Sequence, residues 1–301
     1  MEIEAYLNAF QAYLLTQKRV SRNTLESYMV DINQLKEYLI KNNINFPDLK
    51  QENLTDFLRK IKRKFSLGAK TLSRKISSIK SLYKYLNQHY GLQDLSLNLI
   101  FPKLEKRLPN FLNENEICQI LQYTKTDNSI IGLRNEILLT LLYATGIRIS
   151  EAINLKISGI RFEENLITVE GKGGKERLIP ISQDLSEHLK EYINIYHHNL
   201  LSDNRDTDFL FPVKYSKKVK ALTRQAAWSI LKILVKKSGV QKRVSPHTFR
   251  HSLATHLLQK GANLRSLQVW LGHENLSTVE IYTHLNTDHL RKIYDDKHPR
   301  K

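Results

Sequence analysis

Apolar residues at Leu25, Tyr28, Ile32, Leu35 and Leu39 advance along the chain by alternating steps of three and four, which places them in one stripe on one side of an α-helix. Ser21 stands just ahead of that stripe and is its predicted N-cap. A second helix is predicted over 70–88, with Leu72, Ile76, Ile79, Tyr83 and Leu86 on one side and Lys70, Arg74, Lys80 and Lys84 on the other. Little else than helix patterning occurs in the first hundred residues, so a helical domain is assigned to 1–100. From 101 to 110 the run Phe-Pro-Lys-Leu-Glu-Lys-Arg-Leu-Pro-Asn has two prolines and no helical period, which predicts an extended connector over 101–111. Helices are then predicted at 114–124 and 132–143, with a stop at Gly146 and a further helix from about 148. The period changes to two near 165. Residues 166–170 and 176–181 flank Gly171-Lys172-Gly173-Gly174-Lys175, the pattern of a β-hairpin with a glycine-rich turn. The remainder reads as helical. The expected fold is mainly α and two-domain, with a second, mixed but mostly helical domain over 112–301 that carries a small hairpin.

Charge adds a partner to this picture. The 301 residues hold 47 Lys and Arg against 30 Asp and Glu, a formal charge of +17, and such an excess on a folded chain points to a polyanion, nucleic acid first. Ten of the basic residues, and no acidic one, lie between Phe57 and Gln93. Packing on one face and phosphate contact on the other is the reading this gives for the helix at 70–88, with Lys70, Arg74, Lys80 and Lys84 as its DNA-binding residues. The longest apolar stretch, at 137–144, is far below the roughly 18 residues that span a bilayer, so no membrane segment is expected. An acidic Met-Glu-Ile-Glu start lacks the pattern of a secretory signal, and a cytoplasmic location is the expectation. A single cysteine, Cys118, excludes an internal disulfide framework and any multi-cysteine zinc site.

Seven of the eleven histidines fall in the last 55 residues. There, Ser245-Pro246 reads as an N-cap followed by proline at the first helical position, which puts His247 and Arg250 on one face of the opening turns. Leu271-Gly272-His273 reads as a helix stopped by a glycine, and Ser277-Thr278-Val279-Glu280 as a capping box that starts the helix bearing Tyr282. His247 and His251, with His256 beyond, have metal-like spacing, but Thr248 occupies the position where a zinc hydrolase helix carries glutamate, so no metal is assigned. The turn at 171–175 lacks the P-loop spacing, so no nucleotide or other cofactor is assigned either.

Taken in order, Arg148, Lys172, His247, Arg250, His273 and Tyr282 resemble the catalytic set of the tyrosine recombinases. The strings around them add to the likeness: Ala144-Thr145-Gly146-Ile147-Arg148-Ile149-Ser150-Glu151, Gly171-Lys172-Gly173, His247-Thr248-Phe249-Arg250-His251-Ser252, Leu271-Gly272-His273 and Ile281-Tyr282-Thr283-His284. Phe249 and Trp270 stand where the family more often has leucine. The length, the one small helical domain ahead of these motifs and the ending Tyr294-Asp295-Asp296-Lys297-His298-Pro299-Arg300 look most like the Xer recombinases.

That resemblance implies a SAM-like core-binding domain followed by a recombinase catalytic domain. It also implies cleavage of double-stranded DNA at a recombination site without metal or ATP. Tyr282 would be the nucleophile and form a 3′-phosphotyrosyl link, with His247 accepting its proton. Arg148, Arg250 and His273 would hold the phosphate, and Lys172 would protonate the leaving 5′ oxygen. Further implications are a homo- or hetero-tetramer of protomers on two duplexes, with residues 286–301 (Leu290, Ile293 and Tyr294) docking on a neighbour. A DNA translocase as activator and a role in resolving chromosome dimers at cell division follow from the same likeness. A plasmid or mobile-element resolvase, a type IB topoisomerase and a silent DNA-binding protein are the rival readings.

Overall fold

The hydroxyl of Ser21 accepts the Thr24 amide N–H at 3.3 Å and so caps α2 (Arg22–Lys41), the helix that the three-and-four stripe predicts. A computed structural model describes residues 3–103, 111–171, 174, 176–201, 207–215, 218–272 and 295–299. The chain divides into two compact units, Met1–Leu108 and Pro109–Lys301.

In the first unit α2 packs with α1 (Ile3–Thr16), α3 (Gln51–Lys64) and α4 (Ala69–Tyr90). Phe10, Leu14, Ile32, Leu35, Leu39, Leu54, Phe57, Ile76, Ile79, Leu82 and Leu86 form its core, with Leu25, Tyr28 and Leu72 at the margin. The stripes foreseen on α2 and α4 are therefore the ones buried. One acid is buried with them: Asp31, on α2, takes Lys75 Nζ on Oδ1 at 2.6 Å and the Ser78 hydroxyl on Oδ2 at 3.2 Å. Lys75 also donates to the side-chain carbonyl of Gln34.

The second unit begins with α5 (Glu114–Thr124), where Asn113 and Glu116 cap each other's amides at 2.8 Å. Then come α6 (Ile130–Thr145) and the short α7 (Ile149–Ile153). β1 (Ile160–Arg161), β2 (Leu166–Glu170) and β3 (Glu176–Pro180) form an antiparallel sheet, β2 and β3 pairing from Leu166↔Pro180 to Glu170↔Glu176, as the hairpin pattern predicts. After α8 (Gln183–Glu191) a second hairpin, β4 (Pro212–Tyr215) with β5 (Lys218–Ala221), interrupts a stretch read from sequence as helical. Its strands are four residues each and alternate valine with lysine, too short a run to carry a period. α9 (Arg224–Lys237), α10 (Pro246–Gln259) and α11 (Leu264–Leu271) complete the unit. Leu138, Leu142, Phe249, Leu253, Leu257 and Trp270 are among the residues of its core, so the two unusual aromatics beside the motifs are packing residues.

Of the C-terminal segment expected to dock on a neighbour, residues 295–299 are described. His298 is 2% exposed and stacks on Trp270 of its own chain, ring centroids 6.4 Å apart at 14°, with Tyr143 at 6.1 Å. Leu290, Ile293 and Tyr294 lie outside the described residues. Among the described residues no helix is long and apolar enough to cross a membrane.

Candidate active site

The site starts from a bend. α6 ends at Gly146, whose φ of +63° is the left-handed conformation that suits glycine, and a Cβ there would lie 2.8 Å from Leu271 Cδ2 and 2.9 Å from Leu253 Cδ2. Ile147, 1% exposed, turns inward, and Arg148 follows as the N-cap of α7. Glu151, three residues on, accepts the Arg148 backbone N–H on Oε2 and Arg148 Nη1 on Oε1, both at 2.8 Å. Its carboxylate therefore fixes the guanidinium relative to the start of the helix.

Ser245 caps α10, accepting the Thr248 N–H at 3.2 Å, with Pro246 at the first position. His247 is exposed on that first turn, while Arg250 points inward and is 7% exposed. Arg250 donates through Nη1 to the Gly146 carbonyl at 2.8 Å and through Nη2 to the Leu271 carbonyl. Burial, and then the positive charge of Arg148, bring its pKa down to about 10.

A third arginine completes the cluster. Arg177, on β3, grips Glu151 with Nη2 to Oε2 at 2.7 Å and Nη1 to Oε1 at 3.1 Å, and its Nε lies 3.4 Å from the Trp270 carbonyl. Arg148 Nη2 reaches the Gly272 carbonyl at 2.8 Å. The carbonyls of Trp270, Leu271 and Gly272 thus each accept from a different arginine, one from β3, one from α10 and one from the bend after α6. These are the carbonyls at the C-terminus of α11, the end of a helix that lacks internal donors and carries partial negative charge. Burial pushes the Glu151 carboxyl up, but its bonds and charge contacts with Arg177 and Arg148 outweigh that and hold it below the ordinary carboxylate value. Three guanidiniums around one carboxylate leave two positive charges in excess, an arrangement suited to a phosphodiester.

Of the residues singled out from sequence, Arg148 and Arg250 are brought together, with His247 one turn from Arg250. Lys172, His273 and Tyr282 lie outside the described residues, as does the predicted capping box at 277–280. Glu151 and Arg177 were not foreseen. Glu151 is legible in retrospect as the N3 carboxylate of a helix start, and Arg177 as a cation within a hairpin strand. His256, part of the metal-like spacing, instead has its Nδ1 3.0 Å from the Tyr143 hydroxyl in the core. Among the described residues no group of His, Cys, Asp and Glu is placed to hold a metal ion.

On α4, Lys70 and Lys84 are exposed, and Lys80 lies over the Phe101 ring at 5.0 Å. Arg74, its side chain 38% exposed, has partners within the chain: its Nη1 donates to the Ser27 carbonyl at 2.8 Å and to Asp31 Oδ2 at 2.5 Å. The buried acid on α2 captures the cation that the helical wheel points at solvent.

Comparison with known proteins gives the family of the chain. Residues 110–289 match the model of the phage integrase family, and residues 7–89 that of the phage integrase N-terminal SAM-like domain. Two similar relatives are the proteins named tyrosine recombinase XerD of Oceanobacillus iheyensis, 35% identical over 99% of both chains, and of Staphylococcus aureus, 35% identical over 99% of this chain and all of that one. Among solved structures, XerH recombinase bound to its difH substrate before cleavage aligns with a TM-score of 0.67 at 26% identity. The match covers 89% of this chain and 78% of that one. The post-cleavage complex on palindromic difH gives 0.69 at 25% over the same shares. The chain belongs to the phage integrase family and is a Xer-like, site-specific tyrosine recombinase.

Proposed function

We propose that Arg148, Lys172, His247, Arg250, His273 and Tyr282 are the catalytic set of this recombinase. The observation that carries the reading is the convergence of Arg148 and Arg250 on the end of α11, one residue before His273, with two positive charges in excess. In the reaction the Tyr282 phenol oxygen attacks the scissile phosphorus and the bond to the 5′ oxygen breaks. A phenol of pKa about 10 is almost wholly protonated at neutral pH, so its proton passes to His247. Lys172 supplies the proton that the 5′ oxygen takes as it leaves. Arg148 and Arg250, with His273, stabilise the charge on the non-bridging oxygens, each arginine being worth a few kcal/mol, about 10²–10³ in rate. The 3′-phosphotyrosyl link conserves the energy of the broken ester, so a 5′ hydroxyl from a second duplex reverses the step without ATP.

Four protomers on two duplexes are the assembly this exchange requires, with residues 1–100 holding the DNA through the exposed lysines of α4. XerD naming of the relatives and the difH complexes of XerH support resolution of chromosome dimers, in the cytoplasm, as the process served. The test is a nicked suicide duplex that traps the protein on its site. Tyr282→Phe is expected to abolish the covalent adduct with binding to one duplex nearly unchanged. Adduct that persists in that variant refutes the nucleophile, and Tyr294 is then the residue to examine.

A further inference from the structure

Arg177 has no role in the chemistry proposed above, yet it is the cation that most fully engages Glu151. Both Glu151 oxygens are shared: Oε1 accepts from Arg148 Nη1 and Arg177 Nη1, and Oε2 from the Arg148 amide and Arg177 Nη2. With one carboxylate divided between two guanidiniums, the Arg148–Glu151–Arg177 group keeps one net positive charge. Without Arg177 the same carboxylate pairs with Arg148 alone, and that group becomes neutral where a phosphate must be held. Exposure says which guanidinium meets substrate: the Arg148 side chain is 34% exposed, that of Arg177 18%. Arg177 also joins two elements. It sits on the hairpin that bears Lys172, reaches the Trp270 carbonyl, and lies against Gly272, where a Cβ would be 3.4 Å from its Cζ.

We propose that Arg177 is a positioning residue for strand cleavage: by taking up half of the Glu151 carboxylate it leaves Arg148 its positive charge for the scissile phosphate and holds β3 against the end of α11. The inference rests on the assignment of Arg148 as a phosphate-binding residue. It separates Arg177 from a residue that only supports the fold, because its effect runs through the charge of Glu151 and is therefore reversible by removing that charge.

The experiment measures single-turnover adduct formation on the suicide duplex alongside binding to the same duplex. Arg177→Ala is expected to bind within about threefold of the unaltered protein and to form adduct about 100-fold more slowly, the loss of one phosphate-directed charge. Arg177→Lys keeps a cation but not the fork and should lose about tenfold. Adding Glu151→Gln to Arg177→Ala should restore at least about tenfold, because the amide still accepts the Arg148 backbone N–H but no longer cancels its side chain. Wild-type rate in Arg177→Ala, loss of binding in step with cleavage, or no recovery on adding Glu151→Gln each overturns the inference. Should the alanine variant not fold, Arg177→Gln takes its place with the same outcomes. Adduct that survives Tyr282→Phe overturns instead the catalytic assignment beneath it, so the two failures are distinct.

Discussion

The Gly146 carbonyl oxygen accepts Arg250 Nη1 at 2.8 Å, so the bend that ends α6 is also the seat of a buried guanidinium. Gly146→Ala attacks both. A Cβ meets the two leucine methyls at 2.8 and 2.9 Å while the backbone stays at φ +63°. Left-handed strain and overpacking together should cost about 2–4 kcal/mol. Thermal unfolding should show that loss, and adduct formation should fall beyond what the lowered stability explains, because Arg250 moves with the bend. An unaltered melting temperature would contradict the packing described.

Arg74 and Lys84 stand on the same helix but should behave differently. Lys70 and Lys84 are exposed, whereas Arg74 is bound to Asp31 and Ser27. Replacing Lys70 or Lys84 by alanine should each lower the slope of log affinity against log salt by about one. Arg74→Ala should leave the slope unchanged and lower the stability of the helical domain. Equal slope changes for all three would return Arg74 to the phosphate-facing set.

Asp31 is also a point where that domain is sensitive to substitution. Its side chain is 1% exposed and that of Lys75 4%, at 2.6 Å. Asp31→Ala strands a buried ammonium and should cost about 3–5 kcal/mol, while replacing the pair by leucine and methionine together should cost far less or nothing. Denaturant titration of the two variants decides it. A double variant as unstable as the single one would mean that the pair is held for more than charge balance.

How far these features are legible in the sequence depends on the range of the interaction. α2 and α10 begin where Ser21 and Ser245 predict, and α6 and α11 stop at Gly146 and Gly272, because a cap or a stop is written within a few residues. Arg148 and Arg250 carry motifs that identify them before any contact is known. Asp31, Arg74 and Arg177 are different. Each is an ordinary charge in its own helix or strand, and its partner lies 26 to 44 positions away. Helical periodicity put Arg74 on the open face and could not place the acid beside it. The hairpin of β4 and β5 escaped for the opposite reason, its local signal being too short.

Glu151 ties the arginine cluster to acid sensitivity. Its folded pKa is depressed, so the unfolded chain binds the proton first as pH falls. The stability it contributes is complete above its ordinary value of 4.5 and is lost as pH drops below that towards the folded value. Glu151→Gln should therefore flatten the part of the acid limb below pH 4.5 that this carboxylate contributes to the stability curve of the catalytic unit. The same limb in the variant would show that other carboxylates govern it.

His256 acts at higher pH and with the sign of a buried base. Burial lowers its pKa below the ordinary 6.5, against the raising effect of Glu114 and the Leu112 backbone, with Lys260 adding to the fall. Below 6.5 the unfolded chain gains a proton that the folded chain resists, so stability declines as pH falls from 6.5 to the folded value and is flat above it. The neutral ring takes part in the 3.0 Å hydrogen bond with Tyr143 that joins α10 to α6. His256→Gln keeps a polar group near Tyr143 and cannot titrate. It should lower stability at pH 8 by about 1 kcal/mol, the worth of a lost hydrogen bond. It should also remove the decline just below pH 6.5 while leaving the deeper loss due to Glu151 in place. Melting temperatures from pH 8 to pH 4 for the two single variants and the double variant separate the two limbs, and a His256→Gln curve parallel to that of the unaltered chain through pH 6 would exclude this histidine as the titrating group.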